Sequence, residues 1–125
     1  MTTTSIAEHN PLHLDPNLVL ETVCDLLAID TVDIVGASRI SGTAKLALAC
    51  IAEILRKRNG MKISQIAVRL RLPNHKIRGA IESLDAGHLD TVAAHWEYRS
   101  AMHFFAHCCH NIDTERTSRL AKEAA

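Results

Sequence analysis

The sequence predicts an all-α fold, a small helical bundle that contains a helix-turn-helix and carries a C-terminal helical extension. Three observations predict it. Apolar residues recur at steps of three and four along most of the chain. Residues 62–84 join two such stretches across a short turn, with Pro73 where a second helix would begin. Finally, 47% of the 125 residues are apolar, which is enough for one hydrophobic core.

The chain before the helix-turn-helix is predicted to contain an arm, two helices and a loop. Residues 1–13 are polar and lack periodicity, so we expect a disordered arm before a domain over residues 14–86. Asp15 caps and Pro16 opens the first helix, and a short helical turn follows at 31–35. The loop GASRISGT, residues 36–43, carries Arg39. Predicted inward-facing residues of the first helix are Leu18, Val19, Val23, Leu26 and Leu27.

A long helix is predicted after this loop. Either Thr43 or Ser41 caps it, and it ends at RKRNG, where three bases suit the negative helix terminus and Gly60 suits a stop. Its predicted inward-facing residues are Ala44, Ala47, Leu48, Ile51, Ile54 and Leu55.

The helix-turn-helix itself is predicted from its caps and apolar positions. Ser64 caps the first helix, Leu72 lies in the turn, and Pro73 or Asn74 opens the second helix. Arg71 occupies a position where such turns often have glycine. An arginine with positive φ costs about 1 kcal/mol, which favours a wider or differently shaped turn. The predicted buried residues are Ile66, Ala67, Leu70, Ile77, Ala80, Ile81 and Leu84.

The charge distribution points to a polyanion. Net charge is zero, but residues 36–84 hold ten Lys and Arg against two acids, a net +8, between two acidic flanks. A basic centre built around a helix-turn-helix favours duplex DNA, and the alternative is a solvated basic face. Predicted base-edge contacts are Asn74, His75, Lys76 and Arg78, on a recognition helix at 74–85 that would enter the major groove. Predicted phosphate contacts are Lys62, Ser64 and Arg69, and Arg39 would reach a phosphate or the minor groove.

The order of these parts resembles the DNA-binding C-terminal domain of the bacterial replication initiator DnaA, over about residues 18–84. In that family an Asp-His-Thr type segment opens the recognition helix, where this chain has Asn74, His75 and Lys76, and the basic loop sends an arginine into the minor groove, for which Arg39 is the candidate. Arg71 and Leu72 replace two glycines that are usual in the family's turn. The resemblance implies neither initiator activity nor ATP use, because this chain contains no P-loop.

The chain is also similar to the small DnaA-like activators of gene transfer agent clusters in alphaproteobacteria. That similarity implies a transcription regulator, an activator, with RNA polymerase, a sigma-like factor and integration host factor as protein partners. The alternative hypothesis is a module that binds polymerase or a sigma factor and has only incidental DNA affinity.

The last part of the chain is predicted to be a helical extension over residues 87–112 and a polar, frayed tail over 113–125. Leu89, Val92 and Trp96 share one face, whereas a second stripe lies on nearly the opposite face. One straight helix should not change sides, so either it breaks near Arg99 and Ser100 or its second half packs elsewhere. The stripe is a candidate homodimer seam, a polymerase-facing surface or internal core, and consists of Tyr98, Met102, Phe105, Cys109 and Ile112.

Catalytic and metal chemistry have little support in the sequence. His103, His107 and His110 share a helical face, but one helix seldom supplies a closed set of ligands, so we expect no metal and no other cofactor. The spacing of Cys24, Cys50, Cys108 and Cys109 is not of the metal-binding type, and we expect reduced thiols. No nucleophile and base stand at a recognisable spacing, so we expect a protein that is not an enzyme. No signal peptide or membrane span is evident, and we expect a cytoplasmic, nucleoid-associated protein with no membrane partner.

Overall fold

The computed structural model describes residues 13–124, and within them it contains six α-helices, one 3₁₀ turn and no β-strand. The all-α fold class is therefore confirmed. Residues 1–12 of the predicted disordered arm lie outside the described residues. The elements are α1 (Pro16–Leu26), the 3₁₀ turn (Thr31–Asp33), α2 (Gly42–Asn59), α3 (Ile63–Leu70), α4 (Asn74–Asp85), α5 (Asp90–His95) and α6 (Ala101–Ala124).

Helix α2 is the centre of the bundle and contacts each of the other five helices. The sequence predicted one inward-facing stripe on it. In the structure every residue from Leu46 to Leu55 is buried, because α2 has neighbours on several sides. Its high alanine content suits this position, since small side chains let the surrounding helices approach closely.

The predicted caps of α1 and α2 are confirmed. The Asp15 carboxylate accepts a hydrogen bond from the Asn17 N–H at 2.9 Å, and Ser41, rather than Thr43, caps α2 by accepting from the Ala44 N–H at 3.3 Å. Gly60 ends α2 with φ +66°. Asn59 then holds the start of the described chain by donating to the Leu14 carbonyl and accepting from the Leu14 N–H, each at 2.7 Å.

Helices α3 and α4 are joined by the short turn 71–73, and all seven residues predicted to be buried in them are buried. The prediction that Ser64 caps α3 was wrong, because the helix begins at Ile63 and the Gln65 side chain accepts from the Lys62 N–H at 2.8 Å. The expectation of a wider turn was also wrong. Arg71 itself adopts the left-handed conformation, φ 56° and ψ 43°, and the Leu72 N–H donates to the Ala67 carbonyl at 3.0 Å.

Of the two alternatives for the C-terminal segment, the break near Arg99 and Ser100 is the one found, since α5 ends at His95 and α6 begins at Ala101. Glu97 has φ +66°, and the Asp90 carboxylate accepts from the Ala101 N–H at 2.8 Å. Helix α6 packs on α1, α2 and α5 and continues as one helix to Ala124, within the predicted tail. None of the helices in the described part of the chain combines the length and the apolar character needed to cross a membrane.

Of the three interpretations of the predicted stripe, internal core was wrong, because the buried face of α6 has a different register, whereas the homodimer seam and the polymerase-facing surface stay predictions. Tyr98 lies before α6 begins, so steps counted from it do not follow the helix. Of the stripe residues only Ile112 is fully buried; Tyr98, Phe105 and Cys109 are half-buried, and Met102 is 46% exposed. The inward face is formed instead by Ala101, Phe104, Cys108 and Ile112.

Candidate nucleic-acid interface

The loop that carries Arg39 is bonded both to the last residue of α3 and to the first turn of α4. The Gly36 N–H donates to the Leu70 carbonyl at 2.9 Å. The Lys76 ammonium donates to the Ser38 carbonyl at 2.8 Å and to the Ala37 carbonyl at 3.4 Å. Two parts of the chain that are separated by more than thirty residues are thereby fixed side by side.

A cleft of about 440 Å³ lies between this loop, the start of α2 and one side of α4. Its polar lining residues are Ser38, Arg39, Lys45, His75 and Lys76. Its apolar lining residues are Ile40, Leu48, Gly79 and Ala80. The lining therefore holds three formal positive charges and no carboxylate, which makes the cleft a favourable place for an anion.

The exposed face of α4 continues from the rim of the cleft. Asn74, His75 and Arg78 are exposed, and none of these side chains has a hydrogen-bond or ion-pair partner among the described residues. Lys76 is half-buried, and its ammonium is engaged by the loop carbonyls. Three of the four side chains predicted to contact base edges therefore have no partner among the described residues, whereas the fourth, Lys76, holds the loop in place.

The three predicted phosphate contacts lie on or beside α3, outside the lining of the cleft. Lys62 and Ser64 are exposed at the beginning of α3, at the opposite end from the turn. The Arg69 guanidinium donates to the Asn17 side-chain carbonyl at 3.1 Å, which ties α3 to the beginning of α1. Of the eight predicted contact residues, the structure therefore places three around the cleft, two on the same helix face and three on or beside α3.

The predicted contact residues of this surface did not include Lys45 or Arg71. Lys45 lies in the first turn of α2 and lines the cleft, and its ammonium has no partner among the described residues. Arg71 is exposed in the turn beside Gly36. A usable signal was present for Lys45, which follows the cap Ser41 by four residues and so lies one helical turn from the Arg39 loop.

Three of the ten Lys and Arg side chains in residues 36–84 are paired with carboxylates within the fold. The Glu53 carboxylate, only 3% exposed, lies 2.7 Å from the Arg56 guanidinium and 3.8 Å from the Lys57 ammonium. The Arg58 guanidinium pairs with Asp113 of α6 at 2.9 Å. The Lys57 ammonium also lies 5.6 Å from the centroid of the Phe105 ring. Lys57 and Arg58 thus connect α2 to α6, Arg56 is paired within α2, and none of the three lines the cleft.

The histidines of the C-terminal helix interact locally. Successive turns of α6 carry His103 and His107, and both rings contact the Tyr98 ring, at centroid distances of 5.7 and 5.3 Å respectively. The His107 ring is also within 3.1 Å of the Asn111 amide nitrogen. In the part of the chain that the structure describes, no group of three or more His, Cys, Asp or Glu residues is placed to hold a metal ion.

The cysteines are free and mostly buried. Burial, with smaller contributions from nearby carboxylates, raises the pKa of the Cys24 thiol to about 12. A hydrogen bond with the Cys50 thiol, together with burial, raises the pKa of Cys108. Neutral, buried thiols of this kind act as small apolar packing groups.

Comparisons of the chain with protein-family models, curated proteins and solved structures found no match. The assignment of a function therefore depends on the geometry and charge of this surface and on the residues that carry the resemblance.

Proposed function

We propose that this protein is a sequence-specific duplex-DNA-binding transcription regulator, in which α3 and α4 act as a helix-turn-helix of the DnaA type. The supporting observation is the attachment of the Arg39 loop to α4 through Lys76. That attachment places a basic loop next to the exposed face of a helix, so one protein surface can meet two neighbouring features of a duplex. Helix α4 would lie in the major groove, and Arg39 would contact the adjacent phosphate or enter the minor groove.

The side chains on the outer face of α4 have the chemistry of base readout. Asn74 can pair with adenine through both functions of its amide, and Arg78 can donate two hydrogen bonds to the major-groove edge of guanine. His75 offers a ring nitrogen in the first turn, where recognition helices make most of their base contacts. Their lack of partners among the described residues means that DNA binding breaks no hydrogen bond of theirs within the fold.

Phosphate contacts would hold the protein in register on the duplex. Lys62 and Ser64 lie at the amino end of α3, where the helix dipole and free N–H groups favour an anion. Arg69 donates to Asn17, and the other N–H groups of its exposed guanidinium can still donate to a phosphate. In this arrangement Lys76 contributes to DNA binding through the position it gives the loop.

Fluorescence anisotropy with promoter fragments and with a scrambled duplex, at low and near-physiological salt, tests this proposal. Arg78→Ala and His75→Ala should reduce the preference for the specific fragment, since they remove base contacts worth about 1–3 kcal/mol each. Arg69→Ala should weaken binding to both duplexes by a similar factor. Arg99→Ala, an exposed arginine before α6, is the matched control and should leave binding unchanged. Equal affinity for both duplexes in wild type and in every variant would contradict the proposal.

A second candidate function is binding of RNA polymerase or a sigma factor, for which we propose Val68 as a contact residue. This apolar side chain on the outer face of α3 is 80% exposed. Val68→Glu should then abolish capture of polymerase or sigma factor in pull-downs while leaving DNA affinity at the wild-type level. Steep loss of DNA binding with salt would separate the two functions, because counterion release accompanies phosphate contacts and has no counterpart at Val68.

A further inference from the structure

The cleft beside α4 has the size and the lining of a site for a small anion that carries an apolar ring. Its volume of about 440 Å³ is within the range of small-molecule sites, about 300–1,000 Å³. Among its lining residues Leu48 and Ala80 are buried and Ile40 is half-buried, so we describe these three as its floor. Arg39 is exposed and Lys45 is half-buried, and we describe these two cations as its rim. A plain phosphate-contacting surface would need the cations alone, so the apolar floor calls for a second chemical group on the ligand.

The cations at the rim are available to a ligand. Arg39 is exposed on the loop, and Lys45 is half-buried on α2, so the two approach the cleft from different elements. Neither side chain has a hydrogen-bond or ion-pair partner within the described residues. Lys76 differs, because its ammonium is held by two loop carbonyls and so fixes the wall of the cleft.

Gly79 keeps the floor of the cleft open. Glycine in the interior of a helix is less favourable than alanine by about 1 kcal/mol, so its presence needs a reason. Gly79 has no positive φ, and a Cβ added to it would meet nothing within 4 Å. Neither backbone conformation nor close helix packing therefore requires glycine here. What the missing side chain does is leave space above the apolar floor, where a ligand can approach the backbone of α4.

We infer that this cleft binds one nucleotide unit, with its phosphate between Arg39 and Lys45 and its sugar or base over the apolar floor at Gly79. The inference deepens the proposed function and rests on it where the nucleotide belongs to bound DNA. A free mononucleotide offers the same chemistry, namely a phosphate joined to a ring of similar size. The experiment below distinguishes these two sources.

Two variants of the full chain test the cleft, each with a matched control. Gly79→Leu fills the floor without changing charge, and Ala106→Leu makes a similar increase in size on the exposed side of α6. Lys45→Gln removes one rim cation, and Lys122→Gln removes an exposed cation near the far end of α6. Thermal unfolding of all four variants shows whether each remains folded, so that a loss of binding is distinguished from a loss of fold. Lys45→Gln adds no bulk, so it tests the cleft even if Gly79→Leu disturbs the fold.

The first arm measures free nucleotide by ¹⁵N NMR, with deoxyadenosine monophosphate as the probe and inorganic phosphate and deoxyadenosine as its two halves. The expected result is movement of the amide signals of Arg39, Lys45 and Gly79, with the whole probe binding more tightly than either half. Gly79→Leu should weaken probe binding by about tenfold and Lys45→Gln by about fivefold, and the controls should match wild type.

The second arm measures duplex DNA by anisotropy. If the nucleotide belongs to DNA, Gly79→Leu and Lys45→Gln weaken duplex binding by factors similar to those for the probe. Lys45→Gln also lowers the slope of log affinity against log salt by about one, and duplex DNA displaces the mononucleotide. This outcome supports the inference even where the free probe binds too weakly to detect. If the source is a free nucleotide, both variants lose affinity for the mononucleotide probe but keep wild-type affinity for the duplex.

The inference is overturned if the probe moves no amide signal at the cleft and neither variant alters duplex affinity while both remain folded. A wild-type chain that binds no duplex at all would refute the proposed function separately. The NMR arm would then decide the cleft by itself, with absence of probe binding counting against it.

Discussion

Two groups of cations look alike in the sequence and differ in the structure. The first is the tract Arg56–Lys57–Arg58 at the end of α2, where each cation lies within 4 Å of a carboxylate. The second surrounds the cleft and the turn, where the side chains of Arg39, Lys45, Arg71 and Arg78 have no partner in the described part of the chain. The first group holds the fold together, and only the second is available to an external anion.

The difference lies in where carboxylates are placed. Glu53 stands three and four residues before Arg56 and Lys57, which puts all three on one side of α2. Asp113 reaches Arg58 from α6, 55 positions along the chain. Around the cleft no lining residue is acidic. The net charge of +8 over residues 36–84 therefore overstates the charge available to DNA, because it leaves out Asp113, which pairs with Arg58 from outside that range. The count also gives no sign that Arg56 and Lys57 share the carboxylate of Glu53.

The largest expected effect tests whether α6 belongs to the core, since α6 supplies both Asp113 and Phe105 to the first group. Phe104→Ala should lower the free energy of unfolding by about 3–5 kcal/mol, because Phe104 is fully buried and its ring packs edge-on against Tyr98 at 4.9 Å between centroids. Urea denaturation followed by circular dichroism measures this. Phe105→Ala is the control, and its loss should be smaller because Phe105 is only half-buried. A larger loss for Phe105→Ala would show that the inward face of α6 is the stripe predicted from the sequence.

The next prediction removes the carboxylate that pairs with Arg56 and Lys57 of the first group. Glu53→Gln should lower the free energy of unfolding by about 1–2 kcal/mol, since it weakens charge-assisted hydrogen bonds in a buried position. It should also raise affinity for a scrambled duplex at low salt, because Arg56 and Lys57 gain an uncompensated charge. Glu123→Gln makes the same change in net charge on an exposed part of α6 and should leave stability unchanged. Equal effects of the two variants on stability would mean that Glu53 does not hold the tract.

A matched pair of arginine substitutions sharpens the comparison. Arg39→Gln should lower duplex affinity by about tenfold and change stability by less than about 0.5 kcal/mol, because its side chain has no partner among the described residues. Arg58→Gln should do the reverse, with stability lower by about 0.5–1 kcal/mol and duplex affinity unchanged, since its ion pair with Asp113 is partly exposed. Anisotropy and urea denaturation on the same preparations measure both quantities. The comparison fails if the two variants lose the same property.

The elements with local causes could be predicted from the sequence. Asp15, Ser41 and Gly60 act within a few residues of themselves, so the start of α1 and both ends of α2 follow from residue type and position. The register of α6 could not be predicted in this way. Tyr98 continues the apolar periodicity of α6 in the sequence but lies in the irregular segment before the helix, whose backbone is fixed by the long-range hydrogen bond between Asp90 and Ala101.

In the candidate site, too, features with local causes could be predicted from the sequence, and features that depend on distant contacts could not. The outer face of α4 follows from helical spacing, which is why Asn74, His75 and Arg78 were selected. The role of Lys76 depends on the carbonyls of a loop 38 and 39 positions away, and a sequence pattern contains no such information. Lys45 differs from Lys76, because its spacing from Ser41 already places it near the Arg39 loop, and only its position beside α4 depends on how the helices pack.

The smallest expected effect concerns Arg71, which belongs to the second group of cations and also occupies a left-handed backbone position. Arg71→Gly should raise the free energy of unfolding by about 0.5 kcal/mol, because relief of left-handed strain exceeds the added entropy of glycine in the unfolded chain. Arg71→Gln removes the same charge and keeps the strain. Both should lower duplex affinity by a similar factor, whereas only Arg71→Gly should gain stability. Gly60→Ala provides the backbone control, since a Cβ there meets nothing within 4 Å and its expected loss of about 1 kcal/mol is conformational. If Arg71→Gly gains no stability while Gly60→Ala loses it, the arginine side chain must stabilise the turn, and Arg71 would then belong with Arg56, Lys57 and Arg58.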